Sequence, residues 1–263
     1  MTLLELLISM SVMLLVVGTL AGLAKGVQLS FEHGEAYGTV TQHARVALER
    51  IARTANEARA NRQFPGFLVV AETEGSWRFP ETLVVWRKTT PPAAADVPKV
   101  SELVLYCPDR GFPNILLEIT VPGDTPAMPS LDPTGASYAS NLAFWEATVL
   151  AIRQSTSVTK VRLTSLVRTG AVGSGRLRGG LRFETRLTPS GAQLSQYYVA
   201  HTRTWQQLSW VQGVYGPDVG LRQAWVRLEL QLQPQTSMDA TDAGGLYSVP
   251  FFGSAAIYYL MHP

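Results

Sequence analysis

The residues able to do chemistry are few and scattered. Four histidines, His33, His43, His201 and His262, share no metal-ligand spacing and read as surface or structural groups. Gly173-Ser174-Gly175 lacks the spacing of a nucleophile elbow and has no candidate helix after it. It reads as a hairpin loop rather than a phosphate cradle. Asp239 and Asp242 lie in the polar stretch 238–245. Calcium takes about six to eight oxygens, and two carboxylates do not define such a site; Asp132 and Asp218 add less. No nucleophile–base pair stands out. The expectation is a non-enzymatic protein with no cofactor.

The densest charge is positive. Between Lys160 and Arg186 lie seven basic residues and one acidic residue, Glu184. Arg168, Arg176, Arg178 and Arg182 sit in or beside the glycine-rich loop. Arginines on a flexible loop can contact phosphates, with strong salt dependence. The plainer reading is a pair of alternating strands with charged wet faces and a soluble turn. Cys107 is the sole cysteine, so no internal disulfide exists; a small buried residue is its expected role.

The remaining chemistry is a carboxylate in an apolar setting. Glu5 is followed by 19 uncharged residues, Leu6 to Ala24, before Lys25. At ~1.5 Å per residue that run roughly matches a bilayer's hydrocarbon core. It contains no proline, so a continuous helix is expected. A secretory signal peptide begins with basic residues, and none precedes position 25 here. A plain anchor gains nothing from Glu5, because a carboxylate in a membrane segment is costly and usually functional. A buried core helix would be unusually apolar on every face.

Further on, Tyr37, Val40, Ala44, Ala47, Leu48, Ile51, Ala55 and Ala58 recur at three-and-four spacing, the mark of one helix face. Arg45, Glu49, Arg53 and Glu57 alternate in sign on another face, each pair adding a few tenths of a kcal/mol. Gln63-Phe64-Pro65-Gly66 is the expected stop. Beyond it come short apolar runs between Pro and Gly. Candidate strands are 67–70, 83–87, 103–106, 115–121, 158–167, 181–187, 206–212 and 225–233. Residues 226–233 alternate strictly, with one buried and one wet face expected. Residues 141–153 fit a strand or a short helix, and the apolar C-terminal stretch 249–260 is expected to dock. Residues 89–98 and 122–135 read as surface loops.

Met1-Thr2-Leu3-Leu4-Glu5-Leu6-Leu7-Ile8 resembles the processed N-terminus of type IV pilins and type II secretion pseudopilins. Residues 44–53, ARVALERIAR, are similar to the corresponding region of J-type minor pseudopilins and W-type minor pilins. The resemblance implies an α+β pilin fold: a filament-core helix half over 1–30, an amphipathic half over 31–63, and a β-rich head over 64–263. It implies cleavage by a prepilin peptidase, with Met1 as the methylated first residue. It also implies pairing of Glu5 with the Met1 amine of a neighbouring subunit, which fixes register in the filament. Position 1 departs from the common Phe, and Gly22 from the common Pro. With Gly18, Gly22 forms Gly-x-x-x-Gly, a spacing for close helix approach or a soft point where the helix unwinds. The implied location is the bacterial inner membrane, single-pass, with the head in the periplasm, and then a pilus or pseudopilus. The implied partners are other pilins or pseudopilins, and the implied role is non-enzymatic, near the tip or in initiation. The alternatives are a membrane-anchored adhesin or DNA-uptake module, for which DNA would be the partner, and, less favoured, a tethered hydrolase.

Overall fold

The computed structural model describes residues 3–87, 97–123, 125–173, 175–208, 220–234 and 248–261. The chain is α+β: a long N-terminal helix packed on mainly antiparallel sheets. Helix α1, Leu3–Asn56, runs 54 residues, about 80 Å at the standard rise. It stops ahead of the expected 63–66 boundary. Arg59 N–H donates to Trp86 O at 2.8 Å, and Ala58 bridges Arg87, so the chain leaves the helix to meet a strand.

Strands β1 (Phe67–Glu74), β2 (Trp77–Trp86), β3 (Leu103–Pro108), β4 (Leu116–Thr120) and β5 (Thr159–Thr164) form an antiparallel meander in that order. Between β4 and β5 runs helix α2, Tyr138–Gln154, so residues 141–153 are helical. Strands β6 (Thr169–Ala171) and β7 (Leu177–Gly179) form a hairpin around the glycine-rich loop. Strands β8 (Leu181–Thr188), β9 (Leu221–Leu232) and β10 (Val249–Leu260) make a second sheet ordered β10-β9-β8. Helix α3, Gly191–Tyr198, starts at Ser190, whose hydroxyl accepts from Gln193 N–H while the Gln193 side chain returns to Ser190 N–H. That reciprocal cap was written in the sequence as Ser-x-x-Gln.

The expected strand at 206–212 is not formed at its described start, residues 206–208. Trp205–Gln207 is a 3-10 turn, and residues 209–212 lie outside the described residues. Strand β2 begins well before residue 83, despite Pro80. Only its Leu83–Trp86 end pairs with β3, so Pro80 withholds no bond from a second neighbour.

The centre of the five-stranded sheet, from Leu83 of β2 through β3 and β4, is buried on both faces. Leu83, Val85, Val104 and Tyr106 face α1 and the second sheet. Val84, Trp86, Leu105 and Cys107 face α2, against Trp145, Val149 and Ile152. That explains its continuous apolar runs. Strand β9 buries alternate residues only, as its pattern predicted. Gly66 holds the turn after Phe64 at φ +84°, where a Cβ would stand 2.5 Å from Ile257 Cδ1; no other residue fits both constraints.

Candidate assembly surface

Helix α1 has two environments. From Val40 onward one face is sealed: Val40, Ala44, Ala47, Ile51 and Ala55 are buried against β10, β9 and the five-stranded sheet. Burying Ile51 alone contributes roughly 1.5–3 kcal/mol. The alanines let the backbone sit close to the sheets, and Gly253 of β10 leaves room for Leu48, which a Cβ there would meet at 3.2 Å. Docking starts about two turns later than the composition change at Phe31, because residues 31–39 project past the head and are at most half-buried.

An ion pair and hydrogen bonds fix the helix on the head. Arg50 donates to both Glu118 oxygens of β4, Nε to Oε2 at 2.6 Å and Nη2 to Oε1 at 2.8 Å. Tyr106 Oη donates to Glu118 Oε2 at 3.1 Å and lies 2.8 Å from Thr54 Oγ1. The Arg50 bonds hold the Glu118 carboxyl below its usual range, against the opposing effect of burial. His43 Nδ1 lies 3.3 Å from Thr164 Oγ1, so it ties α1 to β5.

The other half of α1 is bare. Every described residue from Leu3 to Glu35 is exposed, with Leu3 at 82% and Phe31 at 75%. Its most apolar window has mean hydropathy 2.4, and this one helix is long and apolar enough to cross a membrane by length and composition. Glu5 lies exposed in the first turn, where the helix dipole favours a carboxylate. Met1 lies outside the described residues. Around Gly18 and Gly22 nothing stands within 4 Å of an added Cβ, so the backbone there is open to close approach.

The basic stretch divides. Arg178 is buried and committed: Nη1 lies 2.9 Å from Glu72 Oε2 and from Glu81 Oε1, and Nη2 lies 2.9 Å from Glu74 Oε2. It is therefore not available to a phosphate, which corrects its reading as a nucleic-acid contact. Arg176 also leans on Glu72, at 3.5 Å. Arg153 of α2 completes the cluster, reaching Glu72 at 2.9 Å and Glu81 at 3.1 Å, with Thr82 Oγ1 at 3.0 Å and Pro108 O at 3.2 Å. Burial raises the Glu72 carboxyl, but the charges of Arg153, Arg178 and Arg176 outweigh it and hold the group below its usual range. The cluster pins the β6–β7 hairpin and α2 to the β1–β2 hairpin. Arg168 bonds Gln231 Oε1 and Ser248 Oγ, whereas Arg182 is exposed on β8, opposite Glu229.

Sequence reasoning missed the Arg50–Glu118 latch and the Arg153 cluster. Their partners lie 68 to 106 residues apart, and no local pattern marks them. Among the described residues no group of three or more His, Cys, Asp or Glu is placed to hold a metal. Asp132 is held by Arg62 at 2.7 Å and by Thr134; Asp218, Asp239 and Asp242 lie outside the described residues. Cys107 is buried, and burial pushes its thiol up to about 11. Comparison with protein-family models, curated proteins and solved structures gives no match.

Proposed function

We propose that this chain is a pilin-like subunit, a minor pilin or pseudopilin of a type IV pilus or type II secretion pseudopilus. Residues 1–30 would sit in the inner membrane before assembly and in the filament core afterwards, with the head outside the bilayer. The observation that carries this reading is the division of one unbroken helix: a bare apolar half with Glu5 in its first turn, and a half welded to a β head. An ordinary anchor needs the apolar length but not the carboxylate. In a bundle of such helices Glu5 would be desolvated, and the amine of a neighbour's Met1 would be the cation to pair with it. Leaving such a buried charge uncompensated costs about 3–5 kcal/mol.

Mass spectrometry of the mature N-terminus tests the reading. A methylated Met1 amine is expected; cleavage by signal peptidase would sink it. Glu5→Ala should leave membrane insertion intact and impair incorporation into filaments, and normal incorporation would refute the pairing. The DNA-binding alternative is weakened by the ion pairs of Arg176 and Arg178. It predicts duplex binding that falls steeply with salt.

A further inference from the structure

The exposed half of α1 carries four formal charges among residues 3–39: Glu5, Lys25, Glu32 and Glu35. Along the helix, none of the last three has an opposite charge three or four residues away. Helix neighbours that can pair lie three or four residues away. For Lys25 those positions are Ala21, Gly22, Gln28 and Leu29. Glu32 and Glu35 stand three apart with like charge, a mildly repulsive arrangement. Glu32 accepts a bond from Gln28 Nε2 at 2.9 Å, and the ring of His33 packs on Tyr37. Among the described residues, neither Lys25 nor Glu35 forms an ion pair. The docked half differs: Arg45 pairs with Glu49 at 2.8 Å, and Arg50 pairs with Glu118.

The mismatch disappears between two copies. Glu32 lies seven residues beyond Lys25, about 10.5 Å along the axis, too far to pair within one helix. Sliding a parallel copy by those two turns brings its Lys25 level with Glu32, with Glu35 one turn further on. At about 3.6 residues per turn, Glu32, Leu29, Gly18 and Gly22 all fall within about 60° of Lys25 around the helix. The open space over Gly18 and Gly22 lets a second helix approach on that side. We propose that α1 carries an intermolecular charge clasp: Lys25 of one copy engages Glu32 and Glu35 of a parallel second copy displaced by two helical turns. The clasp rests on the filament reading above and sets a register independent of Glu5. A lipid phosphate would satisfy Lys25 but not the two carboxylates, so the second copy is the occupant that resolves both.

Cysteine cross-linking of the full chain in its own membrane tests this. Copies carrying Gly22→Cys and Leu29→Cys are expressed together; Cys107 is buried and stays silent. The 22–29 disulfide is expected to dominate over 22–22 and 29–29. Lys25→Glu should lower its yield roughly tenfold, as like charges face each other, and adding Glu32→Lys with Glu35→Lys should restore it. Dominant 22–22 product, or no recovery in the reversed triple variant, overturns the clasp. A methylated Met1 on chains lacking the 22–29 product overturns the clasp alone. The 22–29 product on chains without that processing overturns the filament reading alone.

Discussion

The two halves of α1 share one backbone and have opposite surroundings. Beyond Val40 the helix spends its apolar face on the sheets and its charges on Glu49 and Glu118. Before residue 36 the apolar residues are bare, and Lys25 has no acidic neighbour at pairing distance along the helix. The proposed membrane and filament setting rests on this bare apolar half. The head, by contrast, finds partners for many of its charges within the chain. Even its charged cluster of Arg153, Arg178, Glu72, Glu74 and Glu81 is mutually paired.

The largest expected effect lies in that cluster. Arg153→Ala leaves Glu72 and Glu81 short of a cation and should cost about 3–5 kcal/mol. Urea unfolding of the full chain in detergent would show it, and an unchanged midpoint would mean that the cluster adds nothing to the head. Next comes a matched pair of substitutions in the helix. Ala47→Leu forces bulk into a sealed seam and should cost about 1–3 kcal/mol. Ala21→Leu, in the bare half, should leave the unfolding midpoint where it was. Equal effects at both positions would erase the distinction between the halves.

Acid should loosen the head by a smaller amount. Glu72 and Glu118 have carboxyls held below their ordinary value of 4.5. The unfolded chain therefore binds their protons first. The stability they contribute is complete above that value and is lost as pH falls through the lowered folded-state values. Glu118→Gln should remove part of this acid sensitivity and cost about 1 kcal/mol near neutral pH; an acid profile identical to the parent's would deny the latch its role. Least of all, Arg45→Ala should change neither stability nor assembly measurably, because its pair with Glu49 is fully in water. A clear loss there would mean that this face of the docked half is also an interface.

Much of this was legible in the chain. The uncharged run after Glu5 and the three-and-four spacing from Tyr37 to Ala58 gave a helix in two parts. Runs such as Leu103–Tyr106 gave strands. The reading faltered where a local signal misled: Pro80 concealed the first half of β2, and Trp205–Gln207 makes a 3-10 turn where a strand was expected. Residues 141–153 fitted either state, and Trp145, Val149 and Ile152 became a helix face only because the five-stranded sheet offers a flat apolar surface to cover. Arg178 was read as a solvent-facing cation because nothing near it in sequence is acidic enough to claim it. Its partners come from β1 and β2, about a hundred residues earlier.

By itself the sequence determined the character of α1, since hydropathy and spacing along a helix are properties of neighbouring residues. It determined where Glu5, Lys25, Glu32 and Glu35 stand on that helix for the same reason. Only the tertiary structure decided where the helix stops docking, which arginines are spent and which carboxylates they hold. Those outcomes depend on strands that meet after long excursions of the chain, and a buried charge chooses its partner by distance in space.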